Sequence, residues 1–165
     1  MKKLLLMLLV FAPMTMMAQK FGHVNASEVM QALPEFAKAR TEIETLQKQY
    51  EADLKSMQDE LQKKAEAFDK EQATLPDNIK QRRQQELEEM YQKIQQSYQD
   101  NQQALAKAQQ EKLSVIQTKV LDAIKSVGET GGYVYIMDIA SGIPFISSTL
   151  SKDVTAEVKA KLGLH

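Results

Sequence analysis

The sequence predicts an α+β protein in which a long antiparallel α-helical hairpin projects from a small β-body that oligomerises. Three observations predict it. Across residues 34–128 the apolar positions recur at steps of three, four and four, and a single breaker, Pro76, interrupts them. Strand-like segments occur only outside that stretch, near Phe21 and after Gly132. The two flanking pieces, residues 20–34 and 129–165, hold 52 residues in all, too few for a self-sufficient core in a chain without cysteine.

Residues 1–18 read as a cleavable export signal. Lys2 and Lys3 make a basic start, residues 4–11 an apolar run, and Met16-Met17-Ala18 a cleavage end before Gln19. The run is far shorter than the roughly 20 residues that span a bilayer, so no stable membrane anchor is expected. The mature chain is expected outside the cytoplasm, with cleavage near Ala18.

The first strand is expected at residues 21–25, and Asn25 with Glu28 has capping spacing for a short helix over residues 26–33. Pro34 fits the first position of the next helix and Glu35 its positive end. The body thus comprises residues 19–34 and 128–165, and the hairpin residues 35–127 with its tip near Pro76. On the first arm the stripe is Ile43, Leu46, Tyr50, Leu54, Met57, Leu61, Ala65 and Phe68. On the second it is Leu87, Met90, Ile94 and Tyr98, then more loosely Leu105, Leu113, Ile116 and Val120. An average near 3.67 residues per turn keeps each stripe nearly straight. Folding about Pro76 pairs Leu54 with Tyr98 and Leu61 with Tyr91.

The second arm is expected to stop at Gly128. Tyr133-Val-Tyr-Ile-Met reads as a strand, Ser141-Gly142 as a turn, and Ile143-Pro-Phe-Ile-Ser as a second strand, at an edge or bulged because of Pro144. Asp153 then caps a last helix over residues 154–162.

Charge narrows the partners. Residues 1–18 contain two of the 21 basic residues and none of the 22 acidic ones, so the mature chain carries a net charge of −3. Nucleic acid is not an expected partner. Catalysis finds no support. His23 lies in a strand and His165 at the terminus, no Gly-rich phosphate loop follows a strand, and acidic pairs such as Glu88-Glu89 fall on solvated helix. No catalytic residue, cofactor or metal ligand is assigned.

Phe21-Gly-His-Val-Asn25 with Pro34-Glu35, a Gln-rich charged hairpin, Tyr133-Val-Tyr-Ile-Met-Asp138 and a closing Asp153-Val-Thr-Ala-Glu-Val resemble the Skp/OmpH family of periplasmic chaperones. The resemblance spans the mature chain and rests on the order of weak motifs. It implies localisation in the periplasm and a homotrimer whose three hairpins enclose a cavity for unfolded outer-membrane proteins, held without ATP. One departure stands out. Well-known members have basic tentacles, whereas residues 35–127 here contain 15 Lys and Arg against 17 Asp and Glu, so no lipopolysaccharide site is carried over.

Two residue sets follow. The oligomer interface is assigned to Phe21, Val24, Tyr133, Tyr135, Ile136 and Phe145. Client contact is assigned to Tyr50, Met57, Phe68, Met90, Tyr91 and Tyr98, whose soft or aromatic side chains suit promiscuous contact. The alternative function is a non-enzymatic envelope structural or adaptor coiled coil.

Overall fold

A computed structural model describes residues 19–164; the export signal assigned to residues 1–18, and His165, lie outside the described residues. The elements are β1 (Lys20–Val24), α1 (Ala26–Ala32), α2 (Pro34–Glu71), α3 (Asp77–Gly131), β2 (Tyr133–Asp138), a 3-10 turn (Ile139–Ser141), β3 (Ser151–Asp153) and α4 (Thr155–Lys161).

Helix α2 begins where the sequence places it, with Pro34 in its first turn and Leu33 extended before it. Its 38 residues would span roughly 57 Å. Pro76 forms the N-cap of α3, so one proline both ends the turn and opens the return helix. The arms are antiparallel, as the cross-arm ion pairs Glu71–Arg83, Lys64–Glu86, Glu42–Lys112 and Glu35–Lys119 show.

The first-arm stripe is reproduced position by position: Ile43 through Ala65 are partly buried and Phe68 is buried, while the residues between them are exposed. The second arm differs in detail. Tyr98 is 56% exposed and Leu113 is also exposed, while Ser97, Asn101, Ala104, Ala108 and Lys112 are partly buried. Between Ile94 and Ile116 no residue of α3 is buried. Small and polar side chains at those inward positions remove too little surface from water to make a continuous core.

Helix α3 runs past Gly128 and ends at Gly131, with the left-handed Gly132 (φ 67°) capping it. Gly128 lacks a positive φ, so nothing in its backbone stops the helix. A Cβ on Gly131 would stand 2.4 Å from the Tyr133 ring, and one on Gly22 would stand 3.1 Å from it. These two glycines make room for that ring where α3 hands the chain to β2.

The sheet has order β2-β1-β3 and is wholly parallel. The expected strand near Ile143 does not form; β3 is the polar Ser151–Asp153 instead. Pro144 offers no amide donor to a neighbour, whereas the later segment extends its ladder by a bond from Val154 N to His23 O of 2.9 Å. The core of the body joins Val24 and Val29 to Ile116, Val120 and Ala123 of α3 and to Val154 and Val158. The root of the hairpin is therefore part of the body's core.

Polar side chains fix the strand ends. Asn25 Oδ1 accepts from Glu28 N at 3.1 Å, the predicted cap. Asp138 Oδ1 accepts from Ala26 N at 3.1 Å and Ala140 N at 3.0 Å. Asp153 Oδ1 accepts from Thr155 N and Oγ1, and Asn25 N donates to Thr155 Oγ1 at 3.0 Å. Those bonds to Thr155 hold the Asp153 carboxyl below its ordinary range, opposed by its partial burial.

Candidate functional site

Two surfaces are candidates: the outer face of the sheet and the sides of the hairpin. Side chains alternate along a strand. Gly22 and Val24 are buried on the helix-covered face, so Phe21 and His23 take the other. In register with them on β2 are Tyr135 and Met137. The rings of Phe21 and Tyr135 lie 4.9 Å apart at 32°. Tyr135 is 50% and Met137 is 44% exposed, and Phe145 in the following loop is 80% exposed. Parallel sheets are ordinarily covered on both faces; this one is covered on one.

The interface set divides accordingly. Phe21, Tyr135 and Phe145 lie outside the core. Val24 is 1% exposed inside it, and Tyr133 and Ile136 pack against it from β2. Val24 is therefore removed from the interface set: its side chain holds the protomer together and leaves nothing for a partner to touch. Met137 stands on the same face as Tyr135, where strand alternation already places it.

His23 Nδ1 and Ser151 Oγ meet at 2.9 Å on this face. Asp153, whose Oδ1 accepts from Thr155 N and Oγ1, faces His23 in the β1–β3 register. Among the described residues there is no cluster of His, Asp and Glu suited to a metal ion, and no helix is long and apolar enough to cross a membrane.

Along the hairpin the client-contact set also divides. Phe68 is buried between the arms and is removed from the set, since it supports the tip. Tyr50, Met57 and Met90 are partly buried on the seam. Tyr91, 51% exposed, and Tyr98 flank a groove of about 390 Å³ that includes Leu54, Gln58, Ile94, Gln95 and Gln99. Leu54 and Tyr98 share that groove, as folding about Pro76 predicts, and its walls carry no charge. Nearer the tip, a groove of about 330 Å³ gathers Lys64, Arg82, Arg83 and Glu86 around Phe68 and Leu87. At the root, one of about 380 Å³ lies between Ala39 and Val115, bordered by Glu35, Glu42 and Lys112.

The ion pairs across the arms have a pH signature. The ammonium groups of Lys119, Lys112 and Lys64 donate to Glu35, Glu42 and Glu86 and hold those carboxyls below their ordinary 4.5. A carboxyl depressed on folding contributes above its unfolded pKa, and the contribution is lost as pH falls through the folded value. Arm pairing is therefore expected to be fullest above pH 4.5 and to weaken as acid titrates these groups. All three pairs are solvated, so the effect is modest and shrinks with salt. Thermal midpoints by circular dichroism on either side of that pH would read it, and Lys112→Met with Lys119→Met should flatten the profile.

The chain is 28% identical over 147 residues to the chaperone protein Skp of Yersinia enterocolitica, covering 89% of this chain and 88% of that protein. It is 26% identical over 141 residues to the chaperone protein Skp of Pectobacterium atrosepticum, covering 86% and 84%. The crystal structure of an OmpH-like outer membrane chaperone from Caulobacter crescentus CB15 superposes with a TM-score of 0.76 at 17% identity, over 87% of this chain and 83% of that one. It shares the α+β fold with its long helices and small strand body. The family described as Outer membrane protein (OmpH-like) matches residues 20–162, and the chain belongs to that family.

Proposed function

We propose that this protein is a periplasmic, ATP-independent holdase that keeps unfolded outer-membrane proteins in a cavity between the hairpins of a homotrimer. The observation that carries the proposal is an uncovered apolar sheet face at the root of a projecting hairpin. Covering that face with further copies sets several hairpins side by side. The relatives' designation as chaperones supports the role, and the signal-like residues 1–18 support the compartment.

Grip on a client comes from many weak contacts multiplied by high effective concentration. The uncharged groove between Tyr91 and Tyr98 suits apolar client segments, and the unburied middle of the seam gives the arm compliance. With 15 basic and 17 acidic residues on the arms, capture by strong positive charge plays no part, and lipopolysaccharide is not a proposed ligand.

The test dilutes an outer-membrane β-barrel protein from urea into buffer containing the purified mature chain. Suppressed light scattering at near-stoichiometric trimer is the expected result. Undiminished aggregation would favour an envelope structural or adaptor coiled coil.

A further inference from the structure

The chain has no cysteine, so its sulfur chemistry belongs to methionine. Four methionines fall among the described residues, in different settings. Met30 packs against the body core and Met137 stands on the open sheet face. Met57 of α2 and Met90 of α3 come from opposite arms and line one groove of about 150 Å³ with Glu60, Lys64, Lys93 and Ile94. Both residues are partly buried rather than sealed, and both line an open groove while contributing to the seam.

We propose that Met57 and Met90 form a paired oxidation site through which a peroxide-class oxidant loosens the distal hairpin. At each sulfur a lone pair attacks one peroxide oxygen: the S–O bond forms as the O–O bond breaks, the proton on the attacked oxygen passes to the departing one, and that second oxygen leaves as water, or as an alcohol from an alkyl peroxide. The thioether is oxidised by two electrons and the peroxide is reduced by two. The product sulfoxide is polar and chiral, and it opposes burial in an apolar seam.

Position makes the effect large for so small a change. In the distal hairpin only Phe68 and Ile94 are buried, and Ile94 shares the methionine groove. The same groove contains Lys64, whose ammonium bonds Glu86 of the other arm at 2.5 Å and lies 3.3 Å from Glu60. A sulfoxide oxygen is a strong acceptor and competes for that ammonium. Oxidation thus removes apolar contact and draws on the cross-arm ion pair at one level of the hairpin. The root, with buried Ile116, Val120 and Ala123, has no methionine between its two arms; Met30 of α1 packs against that core and is replaced in the test. Any consequence for holding clients rests on the proposed holdase role; the pairing itself does not.

The experiment treats the purified mature chain carrying Met30→Leu with hydrogen peroxide and follows peptide mass and amide hydrogen exchange. The expected result is oxidation of both residues, with about tenfold faster exchange in residues 54–64 and 83–98 and unchanged exchange in residues 116–127. Treatment with the two methionine sulfoxide reductases, one for each epimer, should restore slow exchange. The Met57→Leu, Met90→Leu double variant of that background retains Met137 and should keep slow exchange in peroxide. Oxidation of both sites without faster distal exchange would overturn the proposal, as would equal acceleration in the double variant. Exchange reads arm pairing without a client, so a failed aggregation assay would leave this result standing, and the reverse.

Discussion

Replacing Leu33 with Ala is expected to cost about 2–5 kcal/mol of stability, a large share of what a domain of this size possesses. Leu33 is 1% exposed and occupies the junction between α1 and α2. Its carbonyl accepts from Phe36 N at 3.0 Å, and its amide donates to Met30 O at 3.1 Å, so the backbone has no freedom to refill the space. The body is small, and no distant layer can compensate. Urea unfolding followed by circular dichroism would give the loss as a shifted midpoint at unchanged slope. Leu113→Ala on the exposed side of α3 should move the midpoint far less.

The second large effect concerns assembly. Phe21→Glu combined with Tyr135→Glu puts two carboxylates where two tilted, adjoining rings, one half-buried and one exposed, now stand. Because neither ring belongs to the buried core, the protomer should retain its helix content. The proposed trimer should nevertheless dissociate, since each copy would bring two charges into an apolar contact. Light scattering on the purified variant would then report the protomer mass, and aggregation of a diluted barrel protein should no longer be suppressed. A variant of unchanged mass would exclude this face as the interface.

The hairpin was legible because its signal repeats over some ninety residues, long enough for a three-four spacing to outweigh local exceptions. Pro76 gave the fold point, and the antiparallel register followed. Strand content was less legible. Ile143-Pro-Phe-Ile-Ser has the β-branched and aromatic composition of a strand, yet the ladder is completed by Ser151-Lys-Asp, which has none. Pairing there is decided by backbone partners on β1 and by the bonds of Asp153 to Thr155, which composition does not express.

The interface residues illustrate a different limit. Phe21 and Val24 are three positions apart on one strand, so they point to opposite faces and cannot serve one surface. The same holds for Tyr135 and Ile136. Period-two alternation alone contained that correction. Where the second-arm stripe loosens, the inward positions belong to Ser97, Asn101 and Ala104, and a hydrophobic pattern cannot locate residues that lack hydrophobicity.

The placement of β1 between two partners has a consequence for biogenesis. His23 pairs with Met137 on one side and Asp153 on the other, both more than a hundred residues downstream. A chain emerging amino end first presents its central strand early and completes it last. The intervening length would be slow to close as free coil. Once the two arms zip from Pro76, their register returns Val120 to Leu33, and what remains between His23 and Met137 is the 10 residues up to Leu33 and the 17 after Val120. The arm that reaches outward in the finished protein is thus also the guide by which the end of the chain finds its beginning.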